Sequence, residues 1–221
     1  MPDAGNISPA QLTSYIKNAR TIQALLHTFC THESRLNHIH LSACWNSLGH
    51  LARVAGQSWF KENAKALESM VQHTTQTVSA DKVPARQLVN IAHGVARSGR
   101  GQSMGALMKV LARSIERRLG DCNAQELANT AWAFSKVGHL DTQLFKALAN
   151  VAEKRAGDFN AQELSNTVWA FATAGHSEAK LFKALAWAVE QRLDDFTAQG
   201  LANTAWGFAK AGQVDAQLFA A

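Results

Sequence analysis

The chain has 221 residues, 47% of them hydrophobic and 18% charged, with 22 Lys and Arg against 17 Asp and Glu for a net charge of +5. No apolar run approaches the roughly 18 residues of a membrane span, and the opening MPDAGNISPAQL has neither the basic start and apolar stretch of a secretory signal nor the Arg-rich, acid-free character of a transit peptide. Cys30, Cys44 and Cys122 are odd in number and form no CxxC, which argues against a disulfide framework and for a reducing intracellular setting, while the positive charge favours a polyanionic partner.

In chain order, the first expected element is a capping helix over residues 9–29, within an N-terminal cap assigned to residues 1–40. The array proper is assigned to residues 41–221. Histidines and cysteines cluster early, at His27, Cys30, His32, His38, His40 and Cys44. The spacings HTFCTH and HIH match no compact metal-ligand pair, so capping and surface roles are expected and no metal is assigned. A faint repeat unit, ACWNSLGHLARVAG, ends at Gly56 and places His50 where later units carry Trp. A clearer one, RQLVNIAHGVARSG over 86–99, puts Leu88, Asn90 and Gly99 in register, with His93 at the Trp position.

Three near-copies follow: QELANTAWAFSKVG (125–138), QELSNTVWAFATAG (162–175) and QGLANTAWGFAKAG (199–212). Trp132, Trp169 and Trp206 recur every 37 residues. Such a period marks a repeat architecture. Leu127, Ala128, Ala131, Trp132 and Phe134 have helical spacing. Asn123 with Glu126, and Asn160 with Glu163, read as capping boxes; Gly138, Gly175 and Gly212 fit left-handed helix ends. A second helix begins near Asp141 or Ser177. It buries Leu144, Phe145, Leu148, Val151 and Ala152, and in the next copy Leu181, Phe182, Leu185, Trp187 and Val189. The fold class is therefore all-α: an α-solenoid of stacked two-helix repeats with a 37–39-residue period and an N-terminal capping helix, about five units in all. The last unit stops in DAQLFAA, with its second helix cut short, as in a fragment of a longer repeat protein.

At about 100° per residue, Gln125, Asn129 and Lys136 share a narrow sector of the first helix. Stacking then aligns Gln125, Gln162 and Gln199 in one column and Asn90, Asn129, Asn166 and Asn203 in a second. Arg97, Lys136, Thr173 and Lys210 make a third, cationic but for one member. Amides beside cations suit base edges and phosphates of an extended RNA strand. The alternative is structural: Asn side chains bonded between stacked helices as a ladder. Selective reading of bases would have to come from positions that vary, such as Glu126, Glu163 and Gly200. Thr130, Thr167 and Thr204 are expected to bond back to the carbonyl four residues earlier. The tryptophans, Trp132, Trp169, Trp206, Trp45, Trp59 and Trp187, are assigned to the core. Nothing pairs a nucleophile with a base and no phosphate-binding loop occurs, so no enzyme, catalytic residue or cofactor is assigned.

The unit FNAQELSNTVWAFATAGHSEAKLFKALAWAVEQRLDDF resembles the octotricopeptide repeat family, whose motif is very like QELANTxWAFAKxG, and ARTIQALLHTFCTHESRLNHIHLSACWNSLGHLARV is similar to the segment preceding such arrays. The resemblance implies an α-solenoid that binds single-stranded RNA and acts in post-transcriptional regulation, in cytoplasm or organelle. Related bacterial arrays include candidates for delivery into host cells. The expected function is non-catalytic binding of single-stranded RNA, about one nucleotide per repeat, with Arg97, Lys136 and Lys210 on phosphates. The rival is a protein-interaction scaffold on the same face, as a secreted bacterial effector module would use it. No membrane and no small-molecule substrate is expected.

Overall fold

The computed structural model describes residues 7–55, 58–80, 82–99 and 102–213. Among them all regular structure is helical, and the chain divides into two compact units, Met1–Ser114 and Ile115–Ala221. Gly56 and residues 214–221, which the sequence reading used as a repeat end and as a shortened second helix, lie outside the described residues.

The first unit holds α1 (Pro9–Lys17), α2 (Ile22–His32), α3 (His38–Leu51), the short α4 (Trp59–Glu62), α5 (Ala64–Ser79) and α6 (Ala85–Ser98). The single capping helix expected over 9–29 is two helices. Asn18 caps the end of α1, and the Thr21 hydroxyl accepts from the Ala24 N–H at 3.1 Å to start α2. Thr21 competes with helix continuation because its side chain satisfies an orphan amide. The shorter helix α1 then packs on α3, which α6 flanks in turn.

Local capping also corrects the register of α3. The Asn37 side chain accepts from the Ile39 and His40 amides, and His40 Nδ1 accepts from the Asn37 N–H at 3.1 Å while its Nε2 faces the Pro9 carbonyl at 3.1 Å. Histidine thus fills the role that Glu126 and Glu163 play later. Counting from the cap, Asn46 rather than His50 stands at the Trp position, and the helix ends at Leu51, before Gly56. Two glycines let α3 and α6 approach closely: a Cβ on Gly94 would sit 2.5 Å from the Trp45 carbonyl, and one on Gly49 would sit 2.8 Å from the Gly94 oxygen. Buried Trp45 donates from Nε1 to Thr74 Oγ1 at 2.9 Å, which in turn donates to the Met70 carbonyl. That satisfies the indole's one polar group.

The second unit holds α8 (Ala124–Val137), α9 (Thr142–Lys154), α10 (Ala161–Ala174), α11 (Ala179–Glu190) and α12 (Ala198–Lys210); α7 (Gln102–Glu116) precedes them. Each hairpin is joined to the next by a one-turn 3-10 helix, at Leu119–Asp121, Ala156–Asp158 and Leu193–Asp195. Both expected capping boxes form, Asn123 with Glu126 and Asn160 with Glu163. Gly138 and Gly175 end α8 and α10 at φ 69° and 74°, where a Cβ would be strained. Helix α10 packs between α8 and α12, and α9 packs on α11. Leu127, Phe134, Leu144, Phe145, Phe171, Phe182 and Phe208 make the core, with edge-to-face pairs Phe145–Phe171 and Phe182–Phe208 repeating from one hairpin to the next. Arg155 reaches back to the Cys122 carbonyl at 2.6 Å, and Arg192 to the Gly157 carbonyl. These guanidinium bonds tie each second helix to the turn one repeat earlier.

Candidate functional site

Burial resolves the helical wheel of α8 into a closed side and an open strip. Leu127, Ala128, Thr130, Ala131, Ala133, Phe134 and Ser135 are buried. The open sector carries Gln125 and Lys136, both exposed, with Asn129 and Trp132 half-buried between them. Helix α10 repeats the pattern with Gln162 exposed and Asn166, Trp169 and Thr173 half-buried. Helix α12 presents Gln199, Trp206 and Lys210 exposed and Asn203 half-buried. At 1.5 Å rise per residue, each strip runs about 16 Å from its Gln to Lys136, Thr173 or Lys210. The order is the same each time: Gln, Asn, Trp, then Lys136, Thr173 or Lys210.

Thr130, Thr167 and Thr204 donate to the carbonyls of Glu126, Glu163 and Gly200 at 2.7, 2.7 and 2.9 Å, as their spacing predicts. The asparagines behave otherwise than a ladder requires. Among the described residues, the side-chain amides of Asn90, Asn129, Asn166 and Asn203 make no hydrogen bond to protein, nor do those of Gln125, Gln162 and Gln199. Inter-helix bonding falls to serines instead: Ser135 donates to the Ala170 carbonyl at 2.7 Å and Ser165 to the Gly200 carbonyl at 3.2 Å. The recurring carboxamides are therefore left with their donors and acceptors available.

Two members of the cation column stand apart. Thr173 Oγ1 is buried without a hydrogen-bond partner, so this hydroxyl does not open onto the strip. Asn90 and Arg97 belong to α6 of the first unit, both half-buried, where the Cβ of Arg97 sits against Gly49. His93, on the same helix, is held as the neutral imidazole, its pKa lowered to about 4 by burial and then by the Arg97 charge.

The tryptophans require correction. Trp45 and Trp59 are core, as expected, at 0% and 5% exposure. Trp132 and Trp169 are only half-buried, and Trp206 and Trp187 are 45% and 56% exposed. The wheel itself carries the signal, since Trp132 falls about 20° from Gln125 on the far side from Asn129. Residue type, which favours aromatic burial, pointed the other way. Lys210 Nζ lies 5.2 Å from the Trp206 ring centroid, a cation–π pair made possible by the four-residue spacing that Trp132 and Lys136 share.

Between the N-terminal halves of α10 and α12 lies a cleft of about 590 Å³, onto which Gln162, Asn166, Gln199 and Asn203 open. Four of the sequence-assigned residues thus converge on one concavity. The early His/Cys cluster disperses: Cys30 and His27 are exposed, Cys44 is in the core, and His40 caps α3. Among the described residues no group of three His, Cys, Asp or Glu is placed to hold a metal ion, and no helix is long and apolar enough to cross a membrane.

The family model of the RNA-editing substrate-binding complex 6 protein matches residues 54–221. The chain belongs to this family. No curated protein matches the chain. The RNA-editing substrate-binding complex 6 match takes in α4 through α12, hence every residue of the amide, indole and lysine strips in the second unit.

Proposed function

We propose that the strips of α8, α10 and α12 form a non-catalytic platform for single-stranded RNA, the strand crossing the helices at about one nucleotide per repeat. The carrying observation is the set of unpartnered carboxamides in line with half-exposed indoles and two exposed lysines, Lys136 and Lys210. Each chemistry has its counterpart in a nucleotide: ammonium for phosphate, indole for the base face, carboxamide for the base edge. Membership in a family named for an RNA-editing substrate-binding complex supports the same reading, as does the octotricopeptide resemblance and its implied role in post-transcriptional regulation.

A salt titration tests it. Two phosphate contacts on a single strand predict a log–log slope near −1.4, or about a sevenfold loss of affinity between 50 and 200 mM salt. The Lys136→Ala/Lys210→Ala double variant is expected to flatten that slope. A slope near zero in the parent chain, or one unchanged in the double variant, refutes the phosphate assignment. The rival scaffold reading predicts the opposite outcome: a protein partner binds this face while RNA does not.

A further inference from the structure

We propose that the cleft between α10 and α12 receives a single nucleobase and selects bases with an amino-bearing edge over uracil, guanine best of all. This rests on the RNA-binding reading and sharpens it to one position. The cleft opens where the repeat breaks its own pattern. In α8 and α10 the third helical residue is Glu126 or Glu163, whose carboxylate folds back onto the N-cap amide at 3.0 and 2.9 Å. In α12 that residue is Gly200: Thr197 caps its N–H at 3.1 Å, and no side chain returns. The volume that a glutamate would occupy is left beside Phe196 and Thr197, both within 3.3 Å of where a Cβ on Gly200 would stand.

The lining specifies the ligand. No lysine or arginine is among the residues lining the cleft, and the acidic Asp195 is, so a phosphate is disfavoured there. Gln162, Asn166, Gln199 and Asn203 offer both donors and acceptors with no protein partner. A neutral, planar group with a mixed hydrogen-bonding edge fits this set, and half-exposed Phe196 adds an aromatic wall. Guanine presents two adjacent N–H donors to a carboxylate and a carbonyl oxygen to an amide. Adenine and cytosine present one amino group, whereas uracil presents a single N–H flanked by two carbonyl oxygens, which a nearby Asp195 charge repels. The other junction of this unit, between α8 and α10, has Glu163 in place of the glycine, so the selective position is confined to one repeat.

The test uses the full chain and twelve-nucleotide RNAs: oligouridine, and the same strand with one central G, A or C. A bidentate contact of this kind discriminates by about tenfold, so the G-containing strand is expected to bind about that much tighter than oligouridine. Gly200→Glu completes a Thr-x-x-Glu capping box while filling the cleft; it should stay folded by circular dichroism, keep its affinity for oligouridine and lose the preference for G. Gly200→Ala, which makes the same Cβ contacts but adds no carboxylate, should keep the preference, and Asp195→Asn should weaken it. Equal binding of all four strands by the parent chain, or a G preference that survives Gly200→Glu, overturns the base pocket and leaves RNA binding standing. Failure of every strand to bind overturns both.

Discussion

Replacing Trp206 with Leu separates a stacking surface from a core residue. Trp206 is 45% exposed, and the Lys210 ammonium lies over its ring, 5.2 Å from the centroid. Leucine keeps most of the apolar area on the covered side, so the lost burial is at most about 1 kcal/mol, and the exposed cation–π pair contributes about 0.5–1 kcal/mol more. Stability should therefore fall by less than about 2 kcal/mol, against the 3–5 kcal/mol typical of truncating a fully buried Trp such as Trp45. Loss of one stacked base costs about 1–3 kcal/mol, or roughly 5- to 150-fold in affinity. Fluorescence anisotropy with a labelled single-stranded RNA, run well below the thermal midpoint of each variant, reads that loss directly. Trp206→Phe, which keeps a π face, should recover most of it. Binding by Trp206→Leu within twofold of the parent chain, or an equal deficit in the Phe variant, would refute stacking at this position.

In the first unit, Gly94→Val drives a branched side chain into the Trp45 carbonyl, 2.5 Å from the Cβ position. Overpacking of this kind should cost about 3 kcal/mol, visible as a lowered urea midpoint. His93 is held near pKa 4 in the fold against an ordinary value of 6.5, so below pH 6.5 the unfolded chain binds the proton first and stability falls as the pH drops toward 4. At about 1.4 kcal/mol per unit, discounted for partial exposure, the acid loss is on the order of 2–3 kcal/mol; His93→Gln should remove that component from the pH–stability curve. Burial pushes the Cys44 and Cys122 thiols up to about 12, while Cys30 is exposed. Thiol titration of the folded chain should count one reactive cysteine, and three after denaturation. Ser135→Ala removes a buried bond between α8 and α10 and should cost about 1 kcal/mol in thermal unfolding.

Much of this architecture was legible in the residues because its determinants are local. Capping by Asn123 and Asn160, the left-handed glycines Gly138 and Gly175, and the back-bonding of Thr130 and Thr167 depend on neighbours within four residues. Each involves groups that any helix end or helix turn must satisfy. The 37-residue recurrence of these signals declared a repeated helical hairpin before any packing was known. Local signals also misled where two were nearly balanced. Thr21 broke the expected capping helix, and the Asn37–His40 cap moved α3 by four residues from the register suggested by Gly56.

What the tertiary structure alone decided is which side chains the neighbouring helices cover. Trp132 and Trp206 differ from Trp45 by position and not by type, since exposure is set by whether another helix lies over the ring. The asparagines' lack of partners could not be read from their recurrence, because a ladder and an open row of amides have the same sequence. Gly94 and Gly200 make the same point from opposite sides: the first is filled by the backbone of α3, and the second leaves a cleft beside α10. A helix writes its own ends and hydrogen bonds along the chain, whereas its faces acquire meaning only from what packs against them.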